Sequence, residues 1–297
     1  MTRINIIPVK QLYDQHLIAE YREITMVPAS LNRTLNSKLG LNKNKIPERY
    51  TLNKGHVYFF YDKGKYIYKR YFDIINEMIK RGFDPDPYRL FPPKVFIDNN
   101  LFNDWKPITG DYDIINHRLE VKLQKRPNWY KKTDHKTTKE INTTNQIYIS
   151  ENYLDNKHKD EFKLVKTMHD LYDYHGKHKY LFMTIDQIIT KKMGRISANV
   201  LNNEINQVKK HYSKELDNLL KIKPQHSSFI NVHMHIIGYF KNDLPQIEKQ
   251  FFFQLLDDFK NYKISLYSIN KILFSFAKRF EKKYLLKQSF FKPFNET

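Results

Sequence analysis

The chain has 297 residues, no cysteine, and 51 lysines and arginines against 32 acidic residues, for a net charge of +19 and a pI near 9.6. That length accommodates two domains with a core each, and the missing cysteine excludes disulfides, thiol nucleophiles and Cys-ligated zinc or iron–sulfur centres. No segment is continuously apolar over a bilayer's thickness and MTRIN does not read as a signal peptide, so an intracellular, cytoplasmic protein away from membranes is expected.

The chain opens Met1-Thr2, and Thr2 is small enough for Met1 to be removed, which would leave a free Thr2 amine. An unperturbed α-amine has a pKa of about 7.7 to 8.0 against about 10.4 for lysine, so at neutral pH it is the better nucleophile. Such an amine attacks carbon electrophiles and forms a Schiff base without metal or cofactor. The competing reading is a frayed, inert terminus. Pro8 then precedes a helix predicted over 9–26. At about 100° per residue, Tyr13, Leu17, Tyr21 and Ile24 gather on one face while Gln15, Arg22 and Met26 fall on the other. His16 and Glu23 lie on the flank between them. A half-sheltered Glu23 is placed to trade a proton during a reaction, whereas on a solvated face it would simply pair with an arginine.

A helix is predicted over 111–125, on which Arg118, Lys122 and Arg126 are spaced i, i+4, i+8 in one basic stripe suited to phosphates; the plain alternative is a solvated face. Trp129 and Tyr130 either close the domain core or meet a substrate. The stretch KKTDHKTTKEINTTNQ that follows Tyr130 is polar and without apolar periodicity. It predicts a linker over 135–155 between a domain at 1–134 and another at 156–297. Helical periodicity resumes over 160–174, 185–193, 197–220, 228–240, 244–261 and 265–284, so the whole chain reads as all-α. The Phe-rich stretches FFFQLLDDF and SFAKRF read as core faces.

Residues 1–130 hold 22 basic and 14 acidic side chains, and residues 131–297 hold 29 and 18. Both halves thus favour phosphate backbones, with affinity that falls as salt rises. A share of the lysine accompanies the Asn, Ile, Tyr and Phe typical of AT-rich coding DNA. The pairs His175 with His178 and His233 with His235 lack the i, i+4 spacing beside a carboxylate that a hydrolytic zinc site needs, so neither metal nor other cofactor is expected. His175, His178, Lys179, Asn231, His235 and Gln288 either converge on a nucleotide or phosphate pocket or serve as buried hydrogen-bonding residues of packed helices.

The tags MTRIN, DQHL, AEYRE, GHVYFFYDK, KRGF and RPNWYK, in order over residues 1–131, resemble the phage-type pyrimidine-dimer DNA glycosylases with abasic-site lyase activity. The resemblance implies a compact helical enzyme acting on double-stranded DNA that contains pyrimidine dimers or abasic sites. It implies that the Thr2 amine attacks the sugar's anomeric carbon, that Glu23 stabilises the cationic sugar and moves the protons of β-elimination, and that no metal takes part. By the same resemblance the duplex is kinked and a base extruded. The DNA contacts carried over are Arg3, Gln15, His16, Arg22, Arg118, Lys122, Arg126, Trp129, Tyr130 and Lys131. Two departures bear on lesion choice: Met26 stands where the family carries another arginine, and KKTDHKTTK replaces the family's aromatic tail. Activity on abasic sites is therefore expected more firmly than activity on dimers.

In the second half, HGKHKYLFM, MGRISAN, NVHMHIIGYFKNDL, EKQ and YLLKQSFFKPF resemble the uncharacterised C-terminal domain of bacterial YbgA-type proteins, which names a domain without supplying a function. Two other classes remain open at this stage. One is a non-catalytic basic DNA-binding protein, which would tolerate a blocked N-terminus and Glu23→Gln. The other is a C-terminal enzyme acting on modified nucleobases or nucleotides.

Overall fold

The computed structural model describes residues 4–53, 55–86, 89, 93–153, 157–198 and 205–294. The chain divides into two compact units, Met1–Lys136 and Thr137–Thr297. Both are helical, and among the described residues the only β pairing is an isolated bridge between Lys63 and Phe102. The protein is all-α with two domains.

In the first unit, helix α1 (Asp14–Glu23) follows a 3-10 turn at Val9–Gln11, and α2 (Met26–Leu35) follows α1 after two residues. The single helix expected over 9–26 is therefore broken twice. Pro28 explains the second break: it has no N–H to give to the Ile24 carbonyl, so the ladder stops and restarts with Pro28 in the first turn of α2. Leu17, Tyr21 and Ile24 are buried as their periodicity requires, with Arg22 exposed. Short α3 (His56–Phe59) leads to α4 (Gly64–Lys80), whose Ile67, Tyr68, Tyr71, Ile74, Ile75 and Met78 form the middle of the core. Gly64 starts α4 under the Phe96 ring of α5 (Lys94–Ile97); a Cβ there would lie 2.4 Å from Phe96 Cγ. Helix α6 (Thr109–Lys125) completes the unit.

The segment after α6 returns to α1. Asp14 N donates to Lys131 O at 2.8 Å, and Thr133 gives both its N–H (2.9 Å) and its hydroxyl (2.7 Å) to Asp14 Oδ2. Arg81 closes the cluster, reaching Asp14 and Glu77 at 2.8 Å each. These polar residues carry no apolar pattern, yet their hydrogen bonds tie residues 131–136 down, and Lys136 N bonds Lys80 O at 3.2 Å.

The linker expected over 135–155 is corrected by helix α7 (Thr138–Asn152). Thr137 and Glu140 form a capping box at its start. Ile141 and Asn145 face inward, and Asn145 Oδ1 accepts from Leu266 N at 2.7 Å. The Tyr148 ring also meets that of Tyr267 edge to face at 5.8 Å, so a cap and a mostly polar inward face hold a helix that hydrophobic periodicity does not detect. Helices α8 (Lys157–Lys163), α9 (Met168–Ile185), α10 (Gln187–Ala198), α11 (Ile205–Leu219), α12 (His226–Ile237), α13 (Gln246–Lys260), α14 (Leu266–Arg279) and α15 (Lys283–Leu286) follow. The helix expected over 160–174 is split because Thr167 and Asp170 form a second capping box that starts α9, which then runs on through 175–185. The helix expected over 197–220 is described only from Ile205; 199–204 lie outside the described residues. Around α9, Leu171, Phe182, Met193, Tyr212, Leu216 and Leu219 pack a core built largely of fully buried side chains.

Candidate active site and a second cavity

The N-terminal segment of the first unit, an irregular strand-like stretch without β pairing, is held by side chains from far along the chain. Ile4 N donates to His56 Nε2 at 2.9 Å, and the Tyr50 hydroxyl donates to Ile4 O at 2.9 Å. Because Nε2 accepts, His56 is neutral with its proton on Nδ1, which donates to Thr51 O at 2.7 Å. Burial pulls the His56 pKa below the usual histidine value, the Thr51 carbonyl opposes this, and the Arg118 charge adds to it. Next along the segment, Asn5 Nδ2 donates to Glu20 Oε2 at 3.0 Å, and Asn5 Oδ1 accepts from Arg118 Nη1 at 3.2 Å.

Glu20 is fully buried and faces Arg70, whose Nε reaches Glu20 Oε1 at 2.8 Å and whose Nη2 reaches Oε2 at 3.1 Å. The remaining Arg70 donors go to Ile7 O at 2.6 Å and to Asn5 O. A buried ion pair is tolerable only when its other lone pairs and protons are met, and here the segment's carbonyls meet them. One turn further along α1 from Glu20 is Glu23, half-buried, with Oε2 enclosed and without a hydrogen-bond partner among the described residues. Thr2 and Arg3 lie outside the described residues.

A cavity of about 310 Å³ opens between α1, α6 and the segment after α6; Asn5, Gln15, His16, Arg118, Lys122, Arg126, Trp129 and Tyr130 line it together with Ala19 and Lys125. His16 is buried with its ring 4.6 Å from that of Tyr130, and Trp129 meets Tyr130 edge to face at 4.9 Å. Gln15 is a strap: its amide N donates to Trp129 O at 2.8 Å and its carbonyl accepts from Lys131 N at 2.9 Å. The cavity thus gathers all but three of the described residues the sequence named for this unit. The other three, Arg22, Glu23 and Lys131, lie outside its lining, with Arg22 and Lys131 exposed. Met26 is exposed too.

In the second unit a larger cavity, about 1060 Å³, brings together His175, Lys179, His235 and Gln288 of the six residues named from sequence. The other two face elsewhere. Both ring nitrogens of His178 are used, Nδ1 accepting from Ser289 Oγ at 2.9 Å and Nε2–H donating to Glu161 at 3.0 Å. Burial pulls His178 down to about 4 against the opposing Glu161 charge, so this contact is a hydrogen bond from a neutral ring. Asn231 is not in the lining and donates to Gln187 Oε1 at 3.0 Å, Gln187 being a wall residue. Gln288 is fully buried, its amide donating to Gly176 O at 2.7 Å. His233 is buried against Asn270 Oδ1 at 2.7 Å and is likewise held at about 4 by burial.

Residues 1–89 match the pyrimidine dimer DNA glycosylase family. Residues 179–295 match the family described as Protein of unknown function (DUF1722). The two matches fall on the two stretches whose tags resemble these families, and the first family's description implies DNA as the substrate of its members. Within the glycosylase match lie α1, the Glu20–Arg70 pair and the His56 anchor; α6 and the aromatic segment fall beyond it. Among the described residues, no helix is long and apolar enough to cross a membrane.

The sequence reading missed Asn5, Glu20, His56 and Arg70, which position the N-terminal segment. One signal was present: Arg70 falls on the buried stripe of α4, three residues after Ile67 and four before Ile74, where an unpaired charge would be too costly to keep. Its partner lies fifty residues away, and no local pattern names it.

Proposed function

We propose that the N-terminal unit excises the base of a pyrimidine dimer by attack of the Thr2 amine and then nicks the strand at the resulting abasic site. The Thr2 nitrogen bonds to C1′ as the glycosidic bond breaks, and the bonding pair leaves with the base, which is protonated. Loss of the amine proton with opening of the C1′–O4′ bond yields an imine, and removal of a C2′ proton expels the 3′ phosphate. Glu23 supports the cationic sugar and carries protons in these steps. Arg3, Arg22, Arg118, Lys122, Arg126 and Lys131 hold phosphates, while His16, Trp129 and Tyr130 form the wall that meets the opened duplex.

The observation that carries this reading is the convergence of two distant stretches, 5–19 and 118–130, on one basic, aromatic-walled cavity beside an N-terminal segment whose backbone is pinned at Ile4 and, through Arg70, at Asn5. Two peptide units separate Ile4 from Thr2, so pinning Ile4 restricts how far the amine travels. The enclosed Oε2 of Glu23, without a hydrogen-bond partner among the described residues, suits a carboxylate awaiting a proton or a cation. Met26 and the KKTDHKTTK stretch remove contacts outside the chemistry, which favours the abasic site over the dimer as the better substrate.

The test is borohydride trapping of untagged protein on duplexes that contain one abasic site or one cyclobutane dimer. A covalent adduct mapping to Thr2, abolished by N-terminal extension and with nicking strongly reduced in Glu23→Gln, is expected. Native protein lacking Met1 that binds both duplexes and yields neither adduct nor nick would refute the reading in favour of a non-catalytic DNA-binding protein.

A further inference from the structure

The cavity of the second unit takes no part in the chemistry above, and its walls carry an unusual arrangement of charge. Lys191 and Arg195 sit i, i+4 on α10; Lys283 and Lys287 repeat that spacing at α15, and all four line the cavity. Like charges at i, i+4 destabilise a helix, so two such pairs facing one concavity have no conformational benefit. None of the four has an acidic partner among the described residues. By contrast, Lys177 on the same wall is paired with Glu161 at 2.7 Å, and Asp173, the one acidic residue of the lining, is 3.3 Å from His169. The uncompensated charge marks a place for an anion.

The rest of the lining is unlike a bare phosphate site. The Tyr284 ring is held by parallel stacking on Tyr239, 5.9 Å away at 20°, and the Tyr172 ring is largely exposed. His175 is buried at the wall with Nδ1 against the Tyr212 hydroxyl at 3.0 Å, which leaves Nε2. Burial holds this imidazole neutral, near 4, with the Lys179 charge adding to the effect. A Cβ on Gly194 would lie 2.9 Å from that Nε2, so the glycine keeps the imidazole edge uncovered. Cations, aromatic faces and one neutral hydrogen-bonding edge around a cavity of about 1060 Å³ are the parts needed for a phosphate, a base and the base's polar edge.

We infer that this cavity binds a nucleoside monophosphate, its phosphate among Lys191, Arg195, Lys283 and Lys287, and its base between Tyr172 and Tyr284 beside His175. A single nucleotide fits better than a strand because the cations surround one concavity backed by buried Gln288, Thr190 and Ser197 instead of forming a track.

The test is calorimetric titration of the full chain with adenosine and thymidine 5′-monophosphates, beside the two nucleosides, inorganic phosphate and a short single-stranded oligonucleotide. At least one monophosphate is expected to bind, with its nucleoside and inorganic phosphate each weaker by about tenfold or more. The double change Lys191→Gln and Arg195→Gln should weaken it by a similar factor while leaving abasic-site nicking intact; both side chains are exposed, and an unchanged thermal melt checks the fold. Gly194→Ala should weaken it as well, whereas Lys122→Gln in the first unit should not. No binding of either monophosphate, equal binding of inorganic phosphate, binding of the oligonucleotide alone, or loss of binding in Lys122→Gln but not in the Lys191/Arg195 variant would each overturn the inference.

Discussion

Glu20→Gln isolates what the buried network contributes to the N-terminal unit. The change keeps the shape of the side chain but removes the charge that faces Arg70, which is itself buried and donates to Glu20 through Nε and Nη2. Charge-assisted hydrogen bonds contribute about 1.5–3 kcal/mol each, and breaking a buried pair while leaving one charge in place costs about 3–5 kcal/mol. A domain's whole stability is about 5–15 kcal/mol, so the loss is a large fraction of it. Both tryptophans, Trp105 and Trp129, lie in the first unit, which lets urea unfolding followed by tryptophan fluorescence report on that unit alone. The expected result is a midpoint lowered by the equivalent of about 3–5 kcal/mol, with Arg70→Met comparably damaging and the double variant Glu20→Leu/Arg70→Met less so than the sum. A Glu20→Gln variant within about 0.5 kcal/mol of the parent, the range of ordinary surface substitutions, would refute the assignment of this pair as the support of the N-terminal segment.

Acid should loosen the same segment through His56. Its folded-state pKa lies below the unfolded value of about 6.5, so the unfolded chain takes up the proton first. The neutral ring therefore contributes fully above that value, and its contribution is lost as pH falls towards the folded one; unfolding midpoints from pH 7.5 down to 5 should decline less in His56→Gln than in the parent. Lys122→Gln should weaken binding to abasic-site DNA of any surrounding sequence and lower the slope of log K against log salt by about 1, as measured by fluorescence anisotropy; an unchanged slope would remove Lys122 from the phosphate contacts.

How much of this was legible in the chain depends on the range of the interactions involved. Buried Leu17, Tyr21 and Ile24, the half-sheltered position of Glu23 and the basic stripe of α6 all follow from helical spacing, because neighbours three and four residues apart share a face whatever else the chain does. The breaks in the 9–26 helix were also local, and Pro28 recorded the second of them. Helix α7 was illegible because its inward face mixes one isoleucine with an asparagine and a tyrosine, Ile141, Asn145 and Tyr148, among polar neighbours that mask hydrophobic periodicity.

By itself, then, the sequence determined an all-helical chain of two basic domains and the family tags of each, since helix faces, net charge and short motifs are properties of adjacent residues. Only the tertiary structure decided that Glu20 meets Arg70, that His56 holds Ile4, that Gln15 serves as a strap for the segment after α6, and that His178 turns away from the second cavity while His175 faces it. Each of those facts is a long-range placement of a side chain against a distant side chain, backbone group or cavity, fixed by the packing of whole helices. A buried charge or polar ring demands a partner, but which residue supplies it is settled when the helices assemble.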